Sequence, residues 1–170
     1  MLQKRRGAPQ YVALRYDLME IARIGALYIP GDVLEEVMPP ERHEYPKLAV
    51  KGGKFALGDE IDFAEGPFNT LKRLLLLTER IDEGRRTATA LWIRRPEDPG
   101  SVEVMVAGRA LPQEGYGILP IWPEIARAFA GRPTRLRRPD GETVYYPIRN
   151  SDEEIVGVLE GSEPKEVFFI

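Results

Sequence analysis

Apolar and polar residues alternate most regularly between Thr87 and Val106. Thr87, Thr89, Leu91 and Ile93 fall on one side of an extended chain and Ala88, Ala90 and Trp92 on the other, while Val102, Val104 and Val106 alternate with Ser101, Glu103 and Met105. A period of two residues is that of a half-buried strand. Two turn signals, Asp82-Glu83-Gly84 and Pro96-Glu97-Asp98-Pro99-Gly100, punctuate the stretch, and the run Leu74-Leu75-Leu76-Leu77 precedes them. The pattern predicts an antiparallel meander from Thr70 to Val106; its first segment, Leu71–Thr78, suits either a strand covered on both faces or a helix, and the turn and Thr-rich strand that follow favour the strand.

Extended structure is predicted elsewhere too. Strands at Tyr11–Tyr16 and Met19–Ile29 are followed by the turn Pro30-Gly31-Asp32, and Leu34–Met38 fits a short helix or a strand that Pro39-Pro40 ends. Residues 40–58 read as a surface loop with a small hairpin around Gly52-Gly53, after which Glu60–Phe63 and the break at Gly66-Pro67 lead into the meander. One helix is predicted, at Pro123–Ala130. Pro123 opens it, Glu124 faces the positive end of its dipole, Ile125 and Phe129 form its apolar stripe and Gly131 caps it. Thr134–Arg138 and Thr143–Tyr146 then flank Pro139-Asp140-Gly141 as a second hairpin, and Ile155–Leu159 and Glu166–Ile170 form final strands separated by Gly161-Ser162-Glu163-Pro164. Many short strands and one short helix predict an all-β fold, a single jelly-roll or β-barrel-like sandwich. It is read as one domain over 1–170, with a flexible N-terminal segment 1–10 and a C-terminal strand 165–170 free to be exchanged.

Composition narrows the chemistry. The 24 basic and 27 acidic residues are spread along the chain and leave a net charge of -3, so nucleic acid is not the default partner. With no cysteine, disulfides and thiolate metal sites are excluded. No run approaches the roughly 20 apolar residues that span a bilayer, and the basic start MLQKRRGAPQ is followed by no apolar region, so a soluble, unprocessed chain is expected. Eighteen arginines against six lysines, with 15 prolines, fit a heat-adapted source.

Catalytic signatures are absent from the pattern. His43 is the only histidine; Glu41 and Glu44 flank it, but the three residues lack metal-ligand spacing and read as a solvated loop. None of the serines, Ser101, Ser151 and Ser162, lies in a nucleophile elbow. Asp59 with Asp62, and the run Asp152-Glu153-Glu154, read as charged turns because nothing sets the separation that acid–base catalysis needs. Gly52-Gly53 matches neither phosphate-binding fingerprint. No catalytic, cofactor-binding or metal-ligating residue is assigned, and no enzymatic activity is expected.

Basic clusters occur at Lys4-Arg5-Arg6, Arg85-Arg86, Arg94-Arg95 and across Arg132, Arg135, Arg137 and Arg138, the last on a predicted strand near Tyr145 and Tyr146. A basic strand with aromatics beside it is what a β-barrel offers to single-stranded nucleic acid. A basic N-terminal segment before a β-barrel also resembles PilZ domains, receptors for cyclic dinucleotides. Their second motif, Asp-x-Ser-x-x-Gly, is not met, since no serine lies between Asp17 and Gly25.

The chain ends in Val167-Phe168-Phe169-Ile170, an apolar segment suited to completing a sheet in its own chain or in a neighbour's. As a whole-chain profile, the strand pattern of Thr70–Val106, the hairpin at Pro139-Asp140-Gly141 and this apolar end resemble the small major capsid proteins of tailless, internal-membrane icosahedral viruses of thermophiles and halophiles. That resemblance implies an upright single jelly roll in a virion shell, made in the host cytoplasm, which pairs with itself and with a second capsid protein. It makes Val167, Phe168, Phe169 and Ile170 a candidate assembly interface and Lys4, Arg5 and Arg6 a candidate contact with inner-membrane lipid. The alternative is a small nucleic-acid-binding or regulatory β-barrel using Arg132–Arg138. Light scattering separates the two: concentration-dependent self-association without oligonucleotide binding is expected of the first, and salt-dependent binding of single-stranded oligonucleotides of the second.

Overall fold

The computed structural model describes residues 16–37, 66–95, 97–110 and 118–164. Asp17 ends the extended chain and starts a helix, its carboxylate accepting the Met19 N–H at 3.2 Å. Leu18, Ile21, Ala22 and Gly25 then recur at helical spacing and are buried, giving α1, Leu18–Tyr28. Pro30 leads into α2, Gly31–Val37, its carbonyl accepting the Val33 and Leu34 N–H groups. In α3, Gly66–Thr78, the leucine run winds so that Leu71, Leu75 and Thr78 face inward while Leu77 is left 61 % exposed.

Strands β1 (Ala88–Arg95), β2 (Asp98–Ala107) and β3 (Ile118–Pro120) come next, then α4 (Pro123–Phe129), then β4 (Thr134–Arg138), β5 (Gly141–Arg149) and β6 (Ile155–Pro164). All six strands join one antiparallel sheet in the order β3-β2-β1-β6-β5-β4. Helices α1, α2 and α3 cover one face, packing Ile29, Leu34, Leu71 and Leu75 on Leu91, Ile93, Ile148 and Leu159. Short α4 covers the other, where Ile125 and Ala128 meet Trp92, Val104, Tyr145 and Val158. On that second face the Trp122 ring stands edge-on to Trp92 at 5.2 Å and to Tyr145 at 6.0 Å between centroids.

The alternation read from the sequence places β1 correctly: Leu91 and Ile93 face the three helices, Ala90 and Trp92 face α4. In β2 a bulge interrupts it. Leu91 lies opposite Val106 but Trp92 lies opposite Val104, so Met105 is the extra residue and Val106 turns to the opposite face from Val104. The helix at 123–129 and the hairpin of β4 and β5 stand where the sequence places them, with Gly131 at φ +89 after the helix.

The all-β jelly-roll sandwich is not the fold. A jelly roll needs two facing sheets, and among the described residues a single sheet is covered by helices, three of them in segments read as strand or as undecided. Met19–Ile29 and Leu71–Thr78 are helical because their buried positions repeat every three to four residues, a signal masked by apolar residues that flank them on the remaining faces. Pro30-Gly31-Asp32, read as a turn, is the entrance to α2. Strand β6 also runs straight through the expected separator, with Ser162 opposite both Ala88 and Thr143. The upright barrel implied by the capsid resemblance is therefore replaced by a helix-covered sheet. Segment 1–10, the strands at Tyr11–Tyr16 and Glu60–Phe63, the hairpin at Gly52-Gly53 and the strand at Glu166–Ile170 lie wholly or almost wholly outside the described residues.

The helical layer is tightest where α1 crosses α3 at Gly25. A β-carbon at Gly25 would lie 2.5 Å from Thr78 Cγ2 and 2.9 Å from Leu159 Cδ2, so the two helices and β6 meet where only a hydrogen fits. Gly25→Ala is expected to destabilise the fold by about 1–3 kcal/mol through overpacking. Adding Thr78→Ala should recover part of that loss. Urea unfolding of the single and double variants measures both effects, and full additivity of the two changes would refute the contact as the cause.

Candidate functional site

Strand β4 is shorter than β5, and this mismatch builds the site. Their ladder begins at Thr134 opposite Tyr145, which leaves Tyr146–Arg149 paired on one side only, to β6, among the described residues. The open edge forms one wall of a cleft of about 530 Å³. Ala26, Leu27, Ile29 and Pro30, from the end of α1 and the turn into α2, form the facing wall, and Gly131 and Pro133, between α4 and β4, close one end. Asp32, Asn150, Ser151 and Glu153 supply the polar end.

Gly31 sets the width of the cleft. A β-carbon there would come within 2.4 Å of the Arg149 carbonyl oxygen and 2.7 Å of the Asn150 nitrogen, so α2 starts in direct contact with the end of β5. The turn from β5 to β6 is organised by buried Asn150. Its Oδ1 accepts the N–H groups of Asp152 at 3.0 Å and Glu154 at 2.9 Å, and its Nδ2 donates to Glu35 Oε1 and Glu154 Oε2, each at 3.4 Å. Asp32 Oδ1 accepts from Ser151 twice, from the hydroxyl at 2.9 Å and the backbone N–H at 3.2 Å, fastening α2 to the same turn. Glu153 adopts φ +63, in the left-handed region, and its carbonyl accepts from Arg149 Nη1 at 2.7 Å. Arranged in this way, the cleft can enclose an apolar body and meet a polar head at one end.

The residues singled out from the sequence are dispersed. Arg135, Arg137 and Arg138 lie on edge strand β4, with Arg132 just before it. Arg135 pairs with Asp17 at 2.5 Å and Glu142 at 2.7 Å, and Arg137 pairs with Glu142 at 3.4 Å, so much of the strand's charge is answered within the chain. The hydrogen bond from Arg135 holds the Asp17 carboxyl below its ordinary value. Tyr145 is fully buried under α4, and Tyr146 faces the opposite side of the sheet, so the two tyrosines do not form one stacking surface. Asp17 and Gly25 serve as the cap and the tight contact of α1. Ser101 Oγ donates to Asp98 at 2.5 Å and Ser162 sits mid-strand in β6. Asp152, Glu153 and Glu154 form the exposed turn that the sequence indicates, with Glu153 also reaching the cleft. Lys4, Arg5, Arg6, Glu41, His43, Glu44, Asp59, Asp62, Val167, Phe168, Phe169 and Ile170 lie outside the described residues.

Sequence reasoning missed the cleft residues Asp32, Tyr146, Arg149 and Asn150, which only the fold assembles. It also missed buried carboxylates that interrupt apolar patterns, at Glu79, Glu103 and Glu160. Glu160 accepts the Trp92 Nε1–H at 2.6 Å. Glu79, at the end of α3, accepts from the Thr89 hydroxyl at 2.9 Å and from the Thr89 and Arg109 N–H groups at 3.0 Å each, with the Arg109 guanidinium 3.4 Å away. Burial pushes the Glu79 carboxyl above the usual glutamate value, and those donors only partly oppose the shift. Single acidic residues set between apolar strand neighbours, as in Val-Glu-Val at 102–104 and Leu-Glu-Gly at 159–161, were the available signal.

No family model and no curated protein matches the chain. Among solved structures, one titled "Structure of the GAF domain" is similar at 8 % identity, covering 93 % of this chain and 88 % of that chain with a TM-score of 0.41, a likeness too slight to carry an argument.

Glu79 predicts a specific pH dependence. Between the ordinary value near 4.5 and its raised folded value, the folded chain holds more proton than the unfolded chain, so this group's contribution to stability falls as pH rises through that window. The lowered carboxyl of Asp17 acts below that window and in the opposite sense, its stabilisation being lost as pH falls. Glu79→Gln should therefore gain stability relative to the parent as pH rises from 4 toward 7, measured by urea unfolding at a series of pH values. Curves that run parallel across that range would remove Glu79 as the cause.

Proposed function

We propose that this chain is a binding domain for a small molecule, held in the cleft between the α1–α2 turn and the open edge of β5. The observation that carries the reading is the cleft itself: about 530 Å³, with an apolar wall and a polar end built by Asp32, Arg149, Asn150 and Ser151. Small-molecule sites have volumes of roughly 300–1,000 Å³ and set a few polar groups beside apolar walls.

Two features argue for a small ligand over a peptide or a nucleic acid. Adding a peptide strand to the open edge of β5 would need a regular row of donors and acceptors, and Pro147 has no N–H to offer. A strand of nucleic acid on β4 would have to displace Asp17 and Glu142 from the arginines they already hold. Binding without catalysis is favoured because the neutral polar side chains at the cleft are occupied in building it: Ser151 donates to Asp32 and Asn150 spans the turn.

A chemically diverse fragment library, screened by chemical-shift changes on the 15N-labelled full chain, tests the reading. Binders are expected to perturb Ala26, Gly131, Tyr146 and Asn150 together. Binders that map consistently to another surface, or a library with no binder at these residues, would overturn it.

A further inference from the structure

Resting on the cleft as the binding site, we infer that its ligand carries an oxyanion, a carboxylate or phosphate group, on an apolar body, and that Arg149 holds the anion. Arg149 lies at the end of β5, just past the irregularity between Ile148 and Arg149, and lines the cleft. Its guanidinium is oriented by a neutral group: Nη1 donates to the Glu153 carbonyl at 2.7 Å. No carboxylate pairs with it among the described residues. Arg23, Arg85, Arg95, Arg109, Arg135 and Arg137 each sit within 4.0 Å of an Asp or Glu oxygen; Arg73, Arg80, Arg86, Arg127 and Arg132 share with Arg149 the lack of an ion pair among the described residues, but of the described arginines Arg149 is the one that lines the cleft.

Neither of the cleft's own acids, Asp32 or Glu153, forms an ion pair with Arg149. Asp32 turns Oδ1 to the two donors of Ser151, and Glu153 meets Arg149 through its backbone carbonyl. The left-handed conformation of Glu153 belongs to the turn that presents that carbonyl, so the fold accepts a strained residue where the arginine is aimed. A guanidinium has five N–H donors in one plane; with one committed to Glu153, a second edge is available for the two oxygens of a carboxylate or phosphate. Beside it, Tyr146, Pro147, Ile29 and Leu27 form apolar walls, Leu27 being 70 % exposed. An oxyanion at Arg149 places the rest of the molecule against those walls.

The test uses the 15N-labelled full chain with four probes that share one phenyl ring and differ in head group: phenyl phosphate, benzoate, benzamide and benzylamine. Phenyl phosphate or benzoate is expected to shift Ala26, Gly131, Tyr146 and Asn150, with the uncharged and cationic probes at least tenfold weaker, and the better of the two anions identifies the head group. Arg149→Gln should weaken that anion at least tenfold, and Arg149→Lys should recover only part because an ammonium lacks the paired donors. The side chain is exposed, so both variants should keep the remaining spectrum. If benzamide or benzylamine binds the cleft as well as the anions do, or if Arg149→Gln leaves anion binding unchanged, the oxyanion assignment falls and the cleft reading stands. Failure of both anions where library fragments bind the cleft has the same meaning. Failure of the library and the probes together overturns both.

Discussion

Leu91 and Leu159 lie opposite each other in the ladder between β1 and β6 and face three helices; one step along, Trp92 and Val158 lie opposite each other and face the fourth. The central pair is thus apolar on both sides, and a sheet of that kind is stable only when both faces are kept from water. Each buried side chain of this size contributes on the order of 1.5–3 kcal/mol relative to exposure. Covering one face takes α1, α2 and α3 together; covering the other takes only short α4, because the large rings of Trp92, Trp122 and Tyr145 already fill much of it. The close contact of Gly25 with Thr78 and Leu159 follows from the same demand, since α1 and α3 must share one face.

Acidic side chains inside this core tie elements together. Glu79 gathers the end of α3, the start of β1 and the end of β2 through Thr89 and Arg109, and Glu160 gathers β6 and β1 through Trp92. Such groups are costly to bury, and their donors are what make them tolerable. They are structural by their surroundings: their hydrogen-bonding partners belong to the core of the fold. The titration expected of Glu79 is accordingly a property of stability.

The cleft arises where the covering runs out. Beyond Thr134 the sheet loses β4, and the α1–α2 turn, held against β5 by Gly31, stands across the gap. Its walls come from segments far apart in sequence, and its polar end from a turn whose shape depends on Asn150 and on a left-handed Glu153. Arg149 differs from its paired counterparts only in what surrounds it. Arg135, on the neighbouring strand, meets two carboxylates, whereas Arg149 meets a carbonyl and the cleft.

The period-two pattern of Thr87–Ile93, the proline and glycine that bracket α4, and the Pro139-Asp140-Gly141 turn were legible because each is a local rule acting on neighbouring residues. So were the class-level exclusions that follow from having no cysteine. The helices at 18–28 and 66–78 were not, since an apolar run satisfies a strand buried on both faces as readily as a helix packed on one side, and only the partner surface distinguishes them. Nor was the cleft. Tyr146 and Arg149 read as ordinary strand residues until the early end of β4 left their edge open, and Asp32 read as part of a turn until α2 brought it to Ser151. Sequence alone determined the period-two strand β1, the limits of α4 and the turn between β4 and β5. Tertiary structure decided which apolar faces meet and which arginine lines the cleft, because those are properties of distances between segments that no local pattern encodes.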